Sequence, residues 1–235
     1  YGIVDLLTTY SMFIAVVIGL QMHQAIFRFL VTNRDNDERI RTITSTIVTA
    51  TGAILILYTA LFVLIQPIIT LDFKWYLLIY VIISLSLQTV SGIARGLGKN
   101  SVYAMGNFLS AFVMIVLNVI LIAIFRYGVM ALLFSHIVGP FVGTLYIVFR
   151  TKIWKYYRIK ETNKKELKTI LNYAVPLVPN ELSWTVIHTS DRMIISMFLS
   201  VAVNGLIAVA AKISTIYTTI FSIFNTSWTE QVVLH

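Results

Sequence analysis

Glu181, His188 and Arg192 lie within about 20° of one line when the stretch 171–199 is drawn as a helix at roughly 100° per residue, with Thr185 about 40° away. Asp191 stands about 80° off that line and faces a different neighbour. Further on, Lys212, Thr219, Thr226 and Glu230 share a second polar stripe over 204–230. A turn near Ala202 sets Arg192 and Lys212 at one depth, about 15 Å from the turn. Ionisable groups amid apolar sequence are costly, so they face a bundle interior or a wet cavity and mark function. Two cations at one depth suit a polyanionic ligand, while Glu181, His188 and Asp191 are candidates for coupling to protons or sodium. Glu181 or Asp191 neutralising those cations in interhelical ion pairs is the competing use of the same residues.

A third polar group occupies the first apolar stretch. Gln21, Gln24 and Arg28 share one face there, and His23 points nearly the opposite way. Arg28 is near the end of its stretch, where a long cationic side chain also snorkels to the membrane interface. His136, close to Pro140, reads as a packing histidine. Gly52, Gly92, Gly106, Gly139 and Gly143 read as points where helices approach closely.

The elements that carry these residues follow from composition. Of 235 residues, 58% are hydrophobic and 12% charged, and the mean hydropathy is +0.84, unlike a soluble enzyme. The absence of cysteine excludes disulfides, thiolate metal ligation and cysteine nucleophiles. Runs 6–27, 43–66, 75–94, 101–125 and 127–149 contain no Lys, Arg, Asp or Glu. Each is long enough to cross a hydrocarbon core of about 30 Å, which takes roughly 20 residues of helix. Adding 171–199 and 204–230 predicts an all-α polytopic membrane protein with seven transmembrane helices.

The net charge of +8 is then topogenic. Fourteen of the eighteen Lys and Arg lie in the segments after the first, third and fifth spans. The positive-inside rule sets those segments in the cytoplasm, with Tyr1 outside and His235 inside, so nucleic acid is not an expected partner. The basic segment 151–168 separates five spans from two and reads as a linker touching anionic headgroups. Asn163 and Glu166 have capping-box spacing, predicting a short helix from near Lys164 that Pro176 and Pro179 disturb. A chain that starts at Tyr and ends just past a span reads as a fragment. No phosphate-binding glycine loop, paired-histidine metal motif or nucleophile elbow occurs, so no cofactor or metal is expected and a transporter fits better than an enzyme.

Several stretches resemble the polysaccharide flippase branch of the multidrug, oligosaccharidyl-lipid and polysaccharide exporter superfamily, which includes the O-antigen translocases. Tyr1-Gly2-Ile3-Val4-Asp5-Leu6-Leu7 resembles the entry to that family's second helix. Pro176-Leu177-Val178-Pro179 with Ser190-Asp191-Arg192-Met193-Ile194-Ile195 resembles its seventh, and Asn204-Gly205-Leu206 to Ala211-Lys212-Ile213 its eighth. The resemblance implies a fragment of a two-bundle exporter fold of twelve to fourteen helices. Residues 1–150 become helices two to six of the first bundle, 151–168 the basic cytoplasmic linker, and 169–235 helices seven and eight of the second bundle. It further implies a multi-pass flippase of a bacterial or archaeal cytoplasmic membrane, carrying undecaprenyl-pyrophosphate-linked oligosaccharide to the outer leaflet by alternating access. Membrane lipids and polysaccharide polymerase machinery are the other implied partners. On this reading Arg28, Arg192 and Lys212, with Gln21 and Gln24, line the cavity. The alternatives are a cation-coupled multidrug exporter, a membrane-embedded glycan polymerase or ligase, and a structural scaffold.

Overall fold

A computed structural model describes residues 2–69 and 73–198, together with positions 217, 218, 221 and 228; at 2, 3, 5, 6, 188, 189 and 191–198 it describes the backbone alone. The described residues are helical, without a strand: α1 (Gly2–Gly19), α2 (Met22–Val31), α3 (Asp37–Ile65), α4 (Lys74–Gly96), α5 (Asn100–Ala123), α6 (Val129–Thr151), α7 (Lys164–Ala174) and α8 (Leu177–Phe198). Four of them, α3 to α6, are long and apolar enough to cross a membrane, and α1 with α2 makes a fifth span if the bent pair is one. The expected sixth span corresponds to α8, whose Glu181, Asp191 and Arg192 interrupt its apolar character. The expected seventh span lies almost wholly outside the described residues.

The chain divides into two compact units, one comprising Ile3–Glu181 and the other beginning at Leu182. Within the first, α4 packs against α2, α3, α5 and α6. One core gathers Val4 and Leu7 of α1, Tyr58 and Phe62 of α3, and Tyr76, Leu77 and Val81 of α4. A second, at the basic end, gathers Ile26, Leu30, Ile43, Ile47, Ile93 and Ile170. The outward surface is also apolar: Ile56, Leu64, Phe108 and Val119 are 73%, 73%, 62% and 60% exposed, the arrangement expected where hydrocarbon is the solvent.

Small residues set the helix spacing. A Cβ on Gly139 would sit 2.6 Å from the Ser110 carbonyl oxygen, and one on Gly143 would sit 2.8 Å from that of Gly106, so α5 and α6 approach backbone to backbone. Gly92 is likewise pressed against α2, where a Cβ would meet the His23 carbonyl oxygen at 2.9 Å. Gly52 departs from the expectation: a Cβ there meets nothing within 4 Å, so it is not a close-packing point among the described residues.

The first span also departs from expectation. Instead of running straight over 6–27 it breaks after Gly19, with Leu20 and Gln21 left-handed at φ 47° and 52°, and resumes as α2 at an angle of 50°. A Cβ on Gly19 would lie 2.6 Å from Leu85 Cδ2, so α4 crosses the chain just where it kinks. Left-handed conformation at a residue other than glycine costs about 1–3 kcal/mol and persists only where its surroundings impose it.

The predicted short helix is α7, beginning at Lys164 with the Asn163 side chain accepting from the Lys165 amide at 2.9 Å. It ends at Ala174, just before Pro176, whereas Pro179 falls in the first turn of α8, where a missing N–H is tolerated. The reciprocal half of the capping box is not made. The Asn163 amide donates to Thr46 Oγ1 at 3.1 Å, and Glu166 accepts from Arg39, so both groups have been taken by α3. Ser45 Oγ accepts from the Arg158 amide at 2.8 Å and donates to the Tyr156 carbonyl at 3.3 Å, while Thr49 and Thr162 hydroxyls lie 3.3 Å apart. The basic segment is thus strapped along one face of α3.

Candidate functional site

The break in the first span is where its polar residues come together. Gln21, 4% exposed, occupies the left-handed position before α2, so its carbonyl takes the amides of Gln24 and Ala25 while its side chain turns inward. Gln24 Nε2 donates to Gln21 Oε1 at 3.1 Å. A small cavity beside the kink is lined by Gly19, Met22, Ile54 and Leu85 together with His23, Thr51, Gln88 and Thr89. His23 therefore lines this cavity, which neither Gln21 nor Gln24 lines. Gln88 is the residue that sequence reasoning passed over, and its signal was plain: an amide in the middle of an uncharged span.

Arg28, one turn after Gln24, does not simply extend into solvent. Its guanidinium carbon lies 4.4 Å from the centre of the Tyr173 ring on α7, and Tyr173 packs edge-on against Phe29 at 6.0 Å. The stacked guanidinium keeps its outward N–H groups available, since a ring face does not use them. Gln21 and Gln24 are thus joined at the kink, and Arg28 is held separately on the Tyr173 ring of α7.

On α8, Glu181 is half-buried, and the helix continues unbroken past positions 188, 191 and 192, as the expected polar line requires. The side chains of His188, Asp191 and Arg192 lie outside the described residues, and so does Lys212 altogether. Their expected pairing or convergence remains a reading of the sequence.

Basic residues elsewhere in the first unit have structural work. Arg34 donates from Nε to the Gly96 carbonyl at 2.8 Å and from Nη2 to that of Arg95 at 2.9 Å, satisfying the C-terminus of α4. Lys99 Nζ does the same for the Thr151 carbonyl ending α6, at 2.8 Å, and Lys74 Nζ donates to the carbonyls of Gln66 and Ile69 beyond α3, at 2.6 and 3.3 Å. Burial, followed by the nearby charges of Lys152 and Lys155, holds the Lys99 ammonium below the ordinary lysine pKa. His136 is a packing residue as expected, its Nδ1 3.5 Å from the Tyr76 hydroxyl and its ring against Tyr80.

No curated protein and no solved structure matches the chain. A family described as Polysaccharide biosynthesis protein matches residues 1–229, nearly the full length of 235. With apolar helices of membrane-crossing length, this makes the chain a multi-pass membrane protein with a role in polysaccharide synthesis or export. The chain belongs to the polysaccharide biosynthesis protein family, the family of polysaccharide and O-antigen flippases.

Proposed function

We propose that the protein is a flippase for undecaprenyl-pyrophosphate-linked oligosaccharide, moving repeat units from the inner to the outer leaflet of a bacterial or archaeal cytoplasmic membrane for surface polysaccharide assembly. The family match over residues 1–229 carries this reading. Sugars and a pyrophosphate cannot cross hydrocarbon unaided, so a polar track must replace their water while the lipid tail stays in the bilayer. Gln24, exposed and braced by the buried Gln21, offers an amide for sugar hydroxyls, and Arg28, held on Tyr173, offers a guanidinium for phosphate. Arg192 and Lys212 are the further cations assigned to the anionic cargo, and Glu181, His188 and Asp191 couple the cycle to an ion gradient. Residues 1–150 belong to one bundle and 169–235 to the other, and rocking between them gives alternating access. The fourteen basic residues face the cytoplasm, with Tyr1 outside. The protein acts as a transporter, with polysaccharide polymerase machinery downstream and without a cofactor.

The test uses the full-length gene in a deletion strain, comparing wild type with Arg192→Ala plus Lys212→Ala. Lipid-linked repeat units should accumulate on the cytoplasmic side of the deletion strain and of the double variant, and wild type should restore surface glycan. Normal surface glycan in the deletion strain, with no redundant transporter, rejects flipping.

A further inference from the structure

The corner between α4 and α5, the end of α6 and the 3-10 turn Ile153–Lys155 meet at the basic end of the first unit. Lys99 Nζ, held by the Thr151 carbonyl at 2.8 Å, lies 5.6 Å from the centre of the Tyr156 ring. The chain leaves α6 through Lys152 in a left-handed conformation, φ 56°, and Lys152 and Lys155 both emerge exposed on that turn. Thr151 and Tyr156, both touched by the Lys99 ammonium, are the chain neighbours of Lys152 and Lys155, so the three cations gather at one corner. Among the described residues none of the three is paired with a carboxylate. The two acids of the segment are engaged elsewhere, Glu161 by Arg158 at 3.8 Å and Glu166 by Arg39 at 3.0 Å.

Gathered cations without a counter-ion repel one another, and an anion placed among them offsets that repulsion. The neighbouring rings say which kind. Trp154, between the two exposed lysines, is 52% exposed and packs edge-on at 5.9 Å against Phe149, which is 62% exposed. Exposed tryptophan beside lysine at the end of a membrane-crossing helix matches the headgroup level, where rings sit at the acyl boundary and ammoniums meet phosphates. A soluble anion has no use for the two rings.

We propose that Lys99, Lys152 and Lys155, with Trp154 and Phe149, bind the headgroup of an anionic glycerophospholipid. The phosphate sits among the ammoniums and the acyl chains lie along the Phe149–Trp154 pair. Lys99 spends one of its three N–H donors on Thr151 and keeps two for the lipid. The bound lipid pins the α4–α5 corner and the start of the basic segment to one leaflet. This site rests on the chain's membrane character alone and holds whatever cargo the protein carries.

The test is native mass spectrometry of the full-length protein released from nanodiscs of phosphatidylglycerol and phosphatidylcholine with matched chains. Wild type should retain phosphatidylglycerol preferentially. Lys152→Gln with Lys155→Gln should weaken that retention by roughly 25-fold and Lys155→Gln alone about fivefold, since each cation near an anionic surface contributes about a factor of five. The pair Lys152→Arg and Lys155→Arg should retain the lipid, as should Lys160→Gln with Lys164→Gln, which removes equal charge from the same segment. Unchanged retention in Lys155→Gln, or equal loss in the Lys160 and Lys164 control, overturns the site. Displacement of the lipid by soluble glycerophosphate, or by an equimolar polyprenyl pyrophosphate, overturns the assignment to phospholipid in favour of a free anion or of the cargo.

Discussion

Arg39 Nη1 donates to Glu166 Oε2 across 3.0 Å, tying the first turn of α3 to the first turn of α7 although 127 residues separate them. The two partners are unequal: the arginine side chain is 49% exposed and the glutamate side chain 8%. Glu166, Ile170 and Ala174 are buried at intervals of one turn, so the face of α7 that meets α2 and α3 begins with a charge. Arg39→Ala should therefore cost about 1–3 kcal/mol, because it leaves a buried carboxylate unpaired. Glu166→Ala should cost about 1 kcal/mol or less, because it frees a guanidinium that water already reaches. Thermal unfolding of the two variants in detergent checks the order, and equal losses would refute it.

Glycine positions separate in the same way. Gly143→Ala drives a methyl group into the Gly106 carbonyl and Ser110 Cβ, both 2.8 Å away, and should destabilise by about 1–3 kcal/mol. Gly52→Ala fills open space within α3 and should stabilise by about 0.5–1 kcal/mol through helix propensity. The sign of the change in melting temperature distinguishes them.

Arg34 closes the end of α4 with a fork of two donors onto Gly96 and Arg95 carbonyls. Arg34→Ala should lower stability by about 1–3 kcal/mol. Arg34→Lys should recover only part of this, since an ammonium has a single nitrogen and cannot reproduce the rigid fork of Nε and Nη2 onto two carbonyls. Hydrogen exchange at the α4–α5 corner should rise in the alanine variant, and unchanged exchange would count against the cap.

The spans of α3 to α6 were legible because an apolar helix of some twenty residues without a charge suits a bilayer and little else, and Asn163 announced α7 because an amide at that position satisfies a free helix amide. The kink at Leu20 and Gln21 was not legible. Neither residue is glycine or proline, both are uncharged, and the bend is imposed by α4 crossing at Gly19. The Arg39–Glu166 pair was missed for the same reason, since capping spacing is local and the stronger partner is distant. At the candidate site the sequence put Gln21, Gln24 and Arg28 on one face, but Tyr173 beneath the guanidinium is a tertiary contact with no local signature.

Lys99 should give stability a pH dependence of defined sign. Burial and the charges of Lys152 and Lys155 lower its pKa in the folded state, whereas the unfolded chain keeps the ordinary value of 10.5. Between these two values the unfolded state binds more protons, so folding stability from this group rises with pH and levels off above 10.5. At neutral pH its unfavourable contribution is present in full. The difference in melting temperature between wild type and Lys99→Met should grow in favour of wild type over that alkaline window, and a flat difference would remove the effect.

Leu20 and Gln21 are both left-handed, and only glycine adopts that conformation without a Cβ penalty. With the kink imposed by the fold, Leu20→Gly should be near neutral, because relief of a Cβ penalty of about 1–2 kcal/mol offsets the loss of a partly buried side chain packed against the second core. Gln21→Gly relieves the same strain but removes the amide that accepts from Gln24 at 3.1 Å, so its net effect should be near zero. Gln21→Ala keeps the strain and loses the contact, and it should be the least stable of the three. A straight helix through 20 and 21 predicts the reverse, with glycine costing about 1 kcal/mol at either position. Melting temperatures of the three variants decide between the geometries without reference to cargo, and transport assays on the same variants then show whether the kink or its amides serve the flipping step.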